Sequence, residues 1–388
     1  MLTDPRDEQL LRRALELARA GIGLASPNPY VGAVIADPEG NVVGEGTYTY
    51  AGVTHAEILA LHAAGERARG GTLYINLEPH AHQGRTPPCT DALIAAGIKR
   101  VVASMADPNP KVSGRGFERL RGAGIQVEIG ALEHEAKRLN EAFARFIRSG
   151  VPFVTLKSAM TLDGKIAPAA DQNNFDHSDN SKFRGTWITG ELARAHVQEL
   201  RHEHDAILVG IGTVLADNPL LTDRRGRLRR RPLLRVIFDS HLRLPVDSRL
   251  VHSAAEQSTN DLLVFCSSAG DKDSRQKRTQ LEQMGVHVEM VAAGSDGRLD
   301  LQAVLLCLAQ LEITSVMIEG GSRVNAAALT AGIVDKVFLY YAPKFLGERA
   351  IPFLGPSGFD PICLKQIQTH SFGADLAIEG YLRDPYAQ

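Results

Sequence analysis

The sequence contains little cysteine and almost no excess charge. Four cysteines among 388 residues are too few for a disulfide framework, and they favour a reducing, cytoplasmic location. The net charge is −2, from 43 basic and 45 acidic residues, so no bulk electrostatic attraction to nucleic acid or to a membrane surface is predicted. We therefore expect neither nucleic acid nor membrane as a partner.

Long hydrophobic segments are also missing. Every apolar run is shorter than the roughly 20 residues that a membrane-spanning helix needs. The first residues, Met1 to Pro5, lack the basic region and apolar stretch that mark a signal peptide. The overall composition is ordinary for a globular protein, with 44% hydrophobic and 23% charged residues. A chain of 388 residues is long enough for two domains.

Helices and strands are predicted to alternate in the first part of the chain. Asp4 and Pro5 are typical of a helix start, and strands are predicted around residues 31–36, 72–77, 100–105 and 125–129. A single amphipathic helix is predicted over residues 132–147. This alternation predicts a three-layer α/β/α domain. A helix that begins at His55 is expected to bury Ile58, Leu59, Leu61 and Ala64.

Residues typical of a catalytic zinc site lie between positions 55 and 89. His55 and Glu57 form a His-x-Glu motif, and His80 and Cys89 follow in proline-containing turns. His55 and Cys89 are predicted at helix N-termini, where the helix dipole favours a thiolate, the form of cysteine that binds metal. Three protein ligands leave a fourth zinc position for water, and Glu57 can transfer a proton without binding the metal.

Position 80 departs from the usual pattern, because zinc-dependent deaminases carry a cysteine there. An imidazole binds zinc well but brings no negative charge, which favours a more acidic bound water and weaker retention of the metal. We predict that His80 is the ligand. Two alternatives stay open: His82 binds the metal in its place, or the zinc site is impaired.

The chain is identified as a member of the RibD family, the bifunctional deaminase/reductases of riboflavin biosynthesis. The resemblance extends over nearly the whole chain. It rests on residues 27–32, 55–57, 84–89, 107–110, 157–164, 187–189, 212–219 and 318–321.

This resemblance implies a cytidine-deaminase-like domain over residues 1–149 and a dihydrofolate-reductase-like α/β domain over residues 150–388. It implies Zn²⁺ bound at positions 55, 80 and 89, a proton shuttle at Glu57 and a substrate contact at Asn28. In the second domain it implies NADPH contacts at Ala159, Trp187, Thr213, Asp217, Ser240 and Gly321. Substrate contacts are implied at Arg201, Leu221, Arg224 and Glu319.

The implied function is deamination of a phosphorylated pyrimidine, 2,5-diamino-6-(5-phosphoribosylamino)pyrimidin-4-one, and then NADPH-dependent reduction of its ribosyl group to ribityl. The resemblance also leads us to expect a homo-oligomer. The alternative is a reductase alone, with the deaminase impaired by His80. A deaminase acting on nucleic-acid bases is disfavoured by the net charge and by the second domain.

Two further features of the second half suggest phosphate binding. A Gly-Gly turn at Gly320 and Gly321 lies between a predicted strand and a predicted helix, where helix N–H groups can bind an anion. Six of the eight residues from Arg224 to Arg231 are arginines. This run is either a solvated basic loop, or Arg224, with Arg225, holds the phosphate of the substrate.

Overall fold

The computed structural model describes residues 4–82, 87–169, 187–257, 260–267, 272–294, 297–356, 358 and 360–387. The chain forms two compact units, of which the first contains Met1–Gly150 and Leu228–Arg231, and the second contains Val151–Arg227 and Pro232–Ala387. Residues 171–185, a polar stretch whose composition indicates a loop, and residues 84–86 of the zinc-site motif lie outside the described residues. Within these ranges no helix is long and apolar enough to cross a membrane.

The first unit contains a five-stranded sheet with helices on both faces, as the alternation of elements predicted. The strand order is β2-β1-β3-β4-β5, and β3, β4 and β5 run parallel to one another. In chain order its elements are α1 (Pro5–Ala20), β1 (Gly32–Ala36), β2 (Val42–Thr47), α2 (Ala56–Ala64), a 3₁₀ turn (Gly65–Ala68), β3 (Thr72–Ile75), α3 (Cys89–Ala96), β4 (Arg100–Ala103), α4 (Arg115–Gly122), β5 (Gln126–Ile129), α5 (Glu133–Leu139) and α6 (Glu141–Ser149).

Alternate side chains of the strands face opposite layers, as the period of two in a β-strand requires. Ala33 and Ile35 of β1 pack into the core that α2, α3 and α4 cover. Val34 and Ala36 pack on the other face against α1. The sheet is therefore buried on both sides, which confirms the three-layer prediction.

The buried face of α2 differs from the sequence-based prediction. The helix buries Ala56, Ala60 and Ala64, whereas the predicted residues Ile58, Leu59 and Leu61 are only half-buried. The reason is a close approach to β2, since a Cβ on Gly46 would lie 2.0 Å from the carbonyl oxygen of Ala56. A backbone contact this close requires small residues on both elements, so the larger side chains point elsewhere.

The single helix predicted over residues 132–147 is wrong, because Asn140 divides it into α5 and α6. The Asn140 side chain is buried. It accepts a hydrogen bond from the Tyr30 backbone N–H at 2.8 Å and donates one to the Tyr30 carbonyl at 3.1 Å. A tertiary contact over 110 residues of sequence therefore accompanies the interruption of an otherwise continuous helical pattern.

The second unit contains a nine-stranded sheet in the order β11-β10-β9-β8-β12-β6-β13-β16-β15. Its elements are β6 (Phe153–Thr161), β7 (Lys165–Ala167), α7 (Glu191–Glu203), β8 (Ala206–Gly210), α8 (Ile211–Asp217), β9 (Leu234–Phe238), α9 (Arg249–Gln257), β10 (Leu262–Cys266), α10 (Lys272–Gln283), β11 (His287–Met290), α11 (Leu301–Gln310), β12 (Ser315–Ile318), α12 (Ser322–Thr330), β13 (Lys336–Ala342), β14 (Ile351–Pro352), β15 (Lys365–Phe372) and β16 (Asp375–Tyr381).

Six neighbouring strands of this sheet, from β11 to β6, run parallel. Strand β13 continues parallel to β6, and β15 and β16 form a C-terminal antiparallel hairpin. In open parallel sheets ligands bind beyond the carboxyl ends of the strands. In the second unit we therefore expect a cofactor site at the carboxyl ends of the parallel strands.

Candidate active sites

Four side chains that the sequence singled out converge in the first unit. The ligand atoms of His55, Glu57, His80 and Cys89 all lie within 4.8 Å of one another. The Nδ1 atom of His55 lies 3.2 Å from the Sγ atom of Cys89 and 4.0 Å from Oε1 of Glu57. Bond lengths of about 2.0 Å to nitrogen and 2.3 Å to sulfur place tetrahedral zinc ligands roughly 3.3–3.8 Å apart, so these residues fit the metal.

Two helix starts position this cluster. His55 is the N-cap residue of α2, and Cys89 is the first residue of α3, with Pro88 before it. Glu57 lies in the first turn of α2 and is buried. Both helix starts were predicted from the sequence, and the structure confirms them.

The chemistry of Cys89 also fits a bound cation. Burial raises the pKa of the Cys89 thiol, and the neighbouring Glu57 carboxylate raises it further. The favourable effect of the helix dipole is therefore outweighed in the protein alone. A divalent cation bound to the sulfur reverses this balance, because metal binding displaces the thiol proton.

The two candidate histidines differ in position. His80 belongs to the cluster, and its ring lies 4.5 Å from the ring of His55, centroid to centroid. His82 is exposed and stacks edge-on against His80 at 5.2 Å. In the described part of the chain, the group that could hold a metal includes His80 and not His82.

Asn28 lies beside this cluster through one intermediate residue that sequence reasoning missed. The Asn28 amide donates a hydrogen bond of 2.5 Å to the Tyr48 hydroxyl, and the Tyr48 ring packs edge-on against His55 at 5.6 Å. No sequence motif marks Tyr48, since it lies just beyond β2 and its role depends on the fold. Its position links the Asn28 loop to a predicted metal ligand.

In the second unit, predicted cofactor residues lie at the carboxyl ends of four adjacent strands. These are Ala159 in β6, Thr213 after β8, Ser240 after β9 and Gly321 after β12. Gly321 is the N-cap residue of α12, and a Cβ added there would lie 3.5 Å from Oγ1 of Thr213. The structure therefore brings Thr213 and the Gly-Gly turn together at the edge where parallel sheets bind ligands.

The other two predicted cofactor residues are at the surface. Asp217 ends α8 one helical turn after Thr213, so their side chains lie on the same side of that helix. Trp187 is 66% exposed, and the Arg194 guanidinium lies 4.9 Å from the centre of its ring. Residue 185, two positions before Trp187, lies outside the described residues.

Arg201 and Glu319 form a two-bond ion pair, with N–O distances of 3.0 and 2.8 Å. Burial alone would raise the pKa of Glu319, but the charges of Lys157 and then of Arg201 lower it to about 2. Burial lowers the pKa of Lys157 in turn. Sequence reasoning assigned no role to Lys157, although a lone lysine within the apolar strand β6 is a signal for one.

The arginine run contains two kinds of arginine. Arg225 and Arg227 both pair with Glu199 of α7, whereas Arg230 lies against the ring of Tyr50, 3.4 Å from its centre. The Arg224 guanidinium is exposed and makes no hydrogen bond or ion pair with the residues that the structure describes. Arg225, Arg227 and Arg230 therefore contact other side chains, whereas the Arg224 guanidinium is available to bind a ligand.

Two models of known protein families match the chain, one in each half. A model of the cytidine and deoxycytidylate deaminase zinc-binding region matches residues 4–105, and a model of the RibD C-terminal domain matches residues 152–378. The riboflavin biosynthesis protein RibD of Actinobacillus pleuropneumoniae is 41% identical over 384 residues, 98% of this chain and 96% of that relative. The chain belongs to the RibD family.

Solved RibD structures show the same fold over the full length. Form 1 of RibD from Acinetobacter baumannii superposes with a TM-score of 0.80 at 34% identity, covering 97% of this chain and 98% of that one. A deaminase/reductase from Thermotoga maritima gives a TM-score of 0.78 at 36% identity, with the same coverage. RibD membership confirms the predicted fold class.

RibD membership also settles the broad activity. The chain is a bifunctional enzyme of riboflavin biosynthesis, with a zinc-binding deaminase domain and an NADPH-dependent reductase domain. The donor cluster is complete even with histidine at position 80. These findings favour the bifunctional enzyme over a reductase alone.

Proposed function

We propose that this enzyme deaminates diaminohydroxyphosphoribosylaminopyrimidine and then reduces 5-amino-6-(5-phosphoribosylamino)uracil, the two reactions named for the Thermotoga maritima relative. The observation that carries the proposal is the convergence of His80 with His55, Glu57 and Cys89. We assign the deaminase to residues 1–149 and the reductase to residues 150–388.

In the deaminase, His55, His80 and Cys89 are the proposed zinc ligands. Zinc, when bound, supplies a Lewis acid that lowers the pKa of a water molecule to about 7. Glu57 is buried next to His55 and transfers a proton from the attacking water to the departing amine. Asn28, fixed by Tyr48, orients the pyrimidine ring beside these groups.

In the reductase, the residues that would hold the cofactor at the carboxyl ends of the strands are Ala159, Trp187, Thr213, Asp217, Ser240 and Gly321. NADPH, when bound, supplies the hydride for C1 of the opened ribosyl group. The N–H groups at the start of α12 would bind a phosphate of the cofactor, because no side chain caps that helix end at Gly321.

We place the substrate of the reductase near Arg201, Leu221, Arg224 and Glu319. Glu319, with a pKa of about 2, stays ionised at neutral pH and accepts hydrogen bonds from substrate hydroxyl groups rather than donating a proton. Arg224 binds the substrate phosphate, for which a planar guanidinium offers two parallel hydrogen bonds. The small phosphorylated pyrimidine, rather than nucleic acid, is therefore the proposed partner.

The proposal is tested by measuring ammonia release and NADPH oxidation in one sample, with and without a zinc chelator. We expect the chelator to abolish ammonia release, while NADPH oxidation continues when the deaminated pyrimidine is supplied. NADPH oxidation without any ammonia release from the zinc-loaded enzyme would support the reductase alone. The expected homo-oligomer and the cytoplasmic location stay predictions, which light scattering and cell fractionation check.

A further inference from the structure

One side of α7 holds the loop that carries Arg224. The loop runs from Leu221, and its backbone and side chains are bound by four residues of the helix. The Arg201 guanidinium donates to the Thr222 carbonyl at 3.0 Å, and the Arg224 backbone N–H donates to Gln198 at 3.1 Å. The other three contacts pair Glu199 with Arg225, Glu199 with Arg227, and His202 with Asp223.

The pair of His202 and Asp223 is buried more deeply than the rest. The two side chains are 4% and 8% exposed, and Nδ1 of His202 lies 2.8 Å from Oδ2 of Asp223. Burial of polar partners costs solvation, so such a pair is a weak source of stability and serves better to fix one arrangement. The arrangement that it fixes is that of residues 222–224.

The backbone two residues before Asp223 adopts a conformation that L-residues seldom adopt. Leu221 has φ +55° and is buried, which places a bulky residue in the left-handed region. Conformations of this kind persist where the surroundings enforce them, and they cluster at ligand sites. Hydrogen bonds from Arg235 to the Leu220 carbonyl and from Arg201 to the Thr222 carbonyl bracket Leu221.

His202 also binds the acidic residue that precedes Arg224 in the chain. That residue, Asp223, carries a carboxylate that could otherwise pair with the Arg224 guanidinium. Both of its carboxylate oxygens are already used, Oδ2 by His202 and Oδ1 by the backbone N–H of Arg225 at 3.0 Å. The Arg224 side chain is thereby left exposed, with no hydrogen bond or ion pair to any residue in the described ranges.

We propose that His202 and Asp223 are a positioning pair. They keep the Arg224 guanidinium from pairing with Asp223, so that it can bind the phosphate of the reductase substrate. Neither residue touches the substrate, and both act through the loop. The proposal rests on the role assigned above to Arg224. It adds that this arginine binds phosphate only while Asp223 is retained by His202.

The test is a double-mutant cycle between His202→Ala and Arg224→Ala, read out as KM and kcat of NADPH oxidation with the phosphorylated substrate. We expect His202→Ala to raise the substrate KM about tenfold, with kcat within about twofold and KM for NADPH unchanged. His202→Gln, which keeps a hydrogen-bonding group near Asp223, should restore most of the affinity. In an Arg224→Ala background, His202→Ala should have no further effect on KM.

The matched control is Arg227→Ala, which removes a guanidinium of the same loop that is paired with Glu199, and it should leave the substrate KM within about twofold. If His202→Ala does not fold, His202→Phe, which fills the buried position without binding Asp223, supplies the same comparison, and a substrate KM at the wild-type value in that variant overturns the proposal.

Other outcomes separate this inference from the function on which it rests. An equal rise in KM caused by His202→Ala with and without Arg224 overturns the proposal, because the pair would then act on the fold alone. A raised KM in Arg224→Ala with a wild-type KM in His202→Ala overturns only this inference. An unchanged KM in Arg224→Ala overturns the role of Arg224 in phosphate binding and this inference with it.

Discussion

The Sγ atom of Cys89 lies 3.2 Å from Nδ1 of His55, although 34 positions separate the two residues in the chain. This distance suits two ligands of one tetrahedral zinc ion. It arises because α2 and α3 begin at the same place on one face of the five-stranded sheet. The buried carboxylate of Glu57 lies 4.0 Å from the same nitrogen of His55, and we propose that it carries protons rather than binding the metal.

Replacement of Glu57 by glutamine should separate zinc binding from proton transfer. The variant should lose deaminase activity by about 10²–10⁴-fold, since an amide cannot move the proton. Zinc content should stay that of the wild type, and NADPH oxidation with the deaminated pyrimidine should be unchanged. Ammonia release measured at saturating substrate checks this, and a Glu57→Gln enzyme with wild-type kcat would contradict the assigned role.

Alanine at Gly46 should disturb the zinc site from a distance. The new Cβ would lie 2.0 Å from the carbonyl oxygen of Ala56, so α2 must move. Ala56 lies between His55 and Glu57, two predicted residues of the zinc site. We expect a loss of about 3 kcal/mol or more in the unfolding free energy of the first unit, and weaker zinc retention.

The matched control for Gly46 is Gly122→Ala at the exposed end of α4, where an added Cβ meets nothing within 4 Å. This variant should unfold at the wild-type urea concentration and keep its zinc. Equal urea midpoints for the two glycine variants would show that the close approach of α2 to β2 does not matter.

Glu319→Gln should destabilise the second unit in a pH-dependent way. The Glu319 pKa is lowered to about 2 from an ordinary value of 4.5, so its ionisation stabilises the folded state above pH 4.5. This stabilisation is lost as the pH falls from 4.5 towards 2. At pH 7 the variant leaves Arg201 and Lys157 without their carboxylate, which should cost about 3 kcal/mol.

The measurement for Glu319 is urea unfolding of both proteins at pH 7, 5 and 3. The difference in unfolding free energy should be the same at pH 7 and 5 and smaller at pH 3. A difference that stays constant over all three values would mean that the ion pair with Arg201 contributes no pH-dependent stability.

The sequence predicted the zinc site better than it predicted packing. The site residues belong to short motifs whose spacing places His55 and Cys89 at helix starts, and local rules are sufficient there. The buried face of α2 could not be predicted, because it depends on the approach of Gly44 and Gly46 in β2. Nor could the helix break at Asn140, whose partner, Tyr30, lies far away in the chain.

In the second unit, the family resemblance implied cofactor contacts at Thr213 and Gly321, and the structure places these two residues close together. No sequence pattern indicates that His202 and Asp223 pair, since each is an ordinary polar residue in its own segment. Lys157 lies in one of the segments that carry the family resemblance, but its proximity to Glu319 depends on the parallel pairing of β6 with β12. Local sequence patterns do not reveal contacts between residues that lie far apart in the chain.

The most direct test of the central claim, that His80 completes the zinc site, is zinc content combined with zinc X-ray absorption. Wild-type protein should hold about one zinc per chain, with one sulfur at about 2.3 Å and two imidazole nitrogens at about 2.0 Å. His80→Ala should lose the metal and ammonia release, and the control His82→Ala should keep its zinc. Retention of zinc with an unchanged spectrum in His80→Ala would contradict the account.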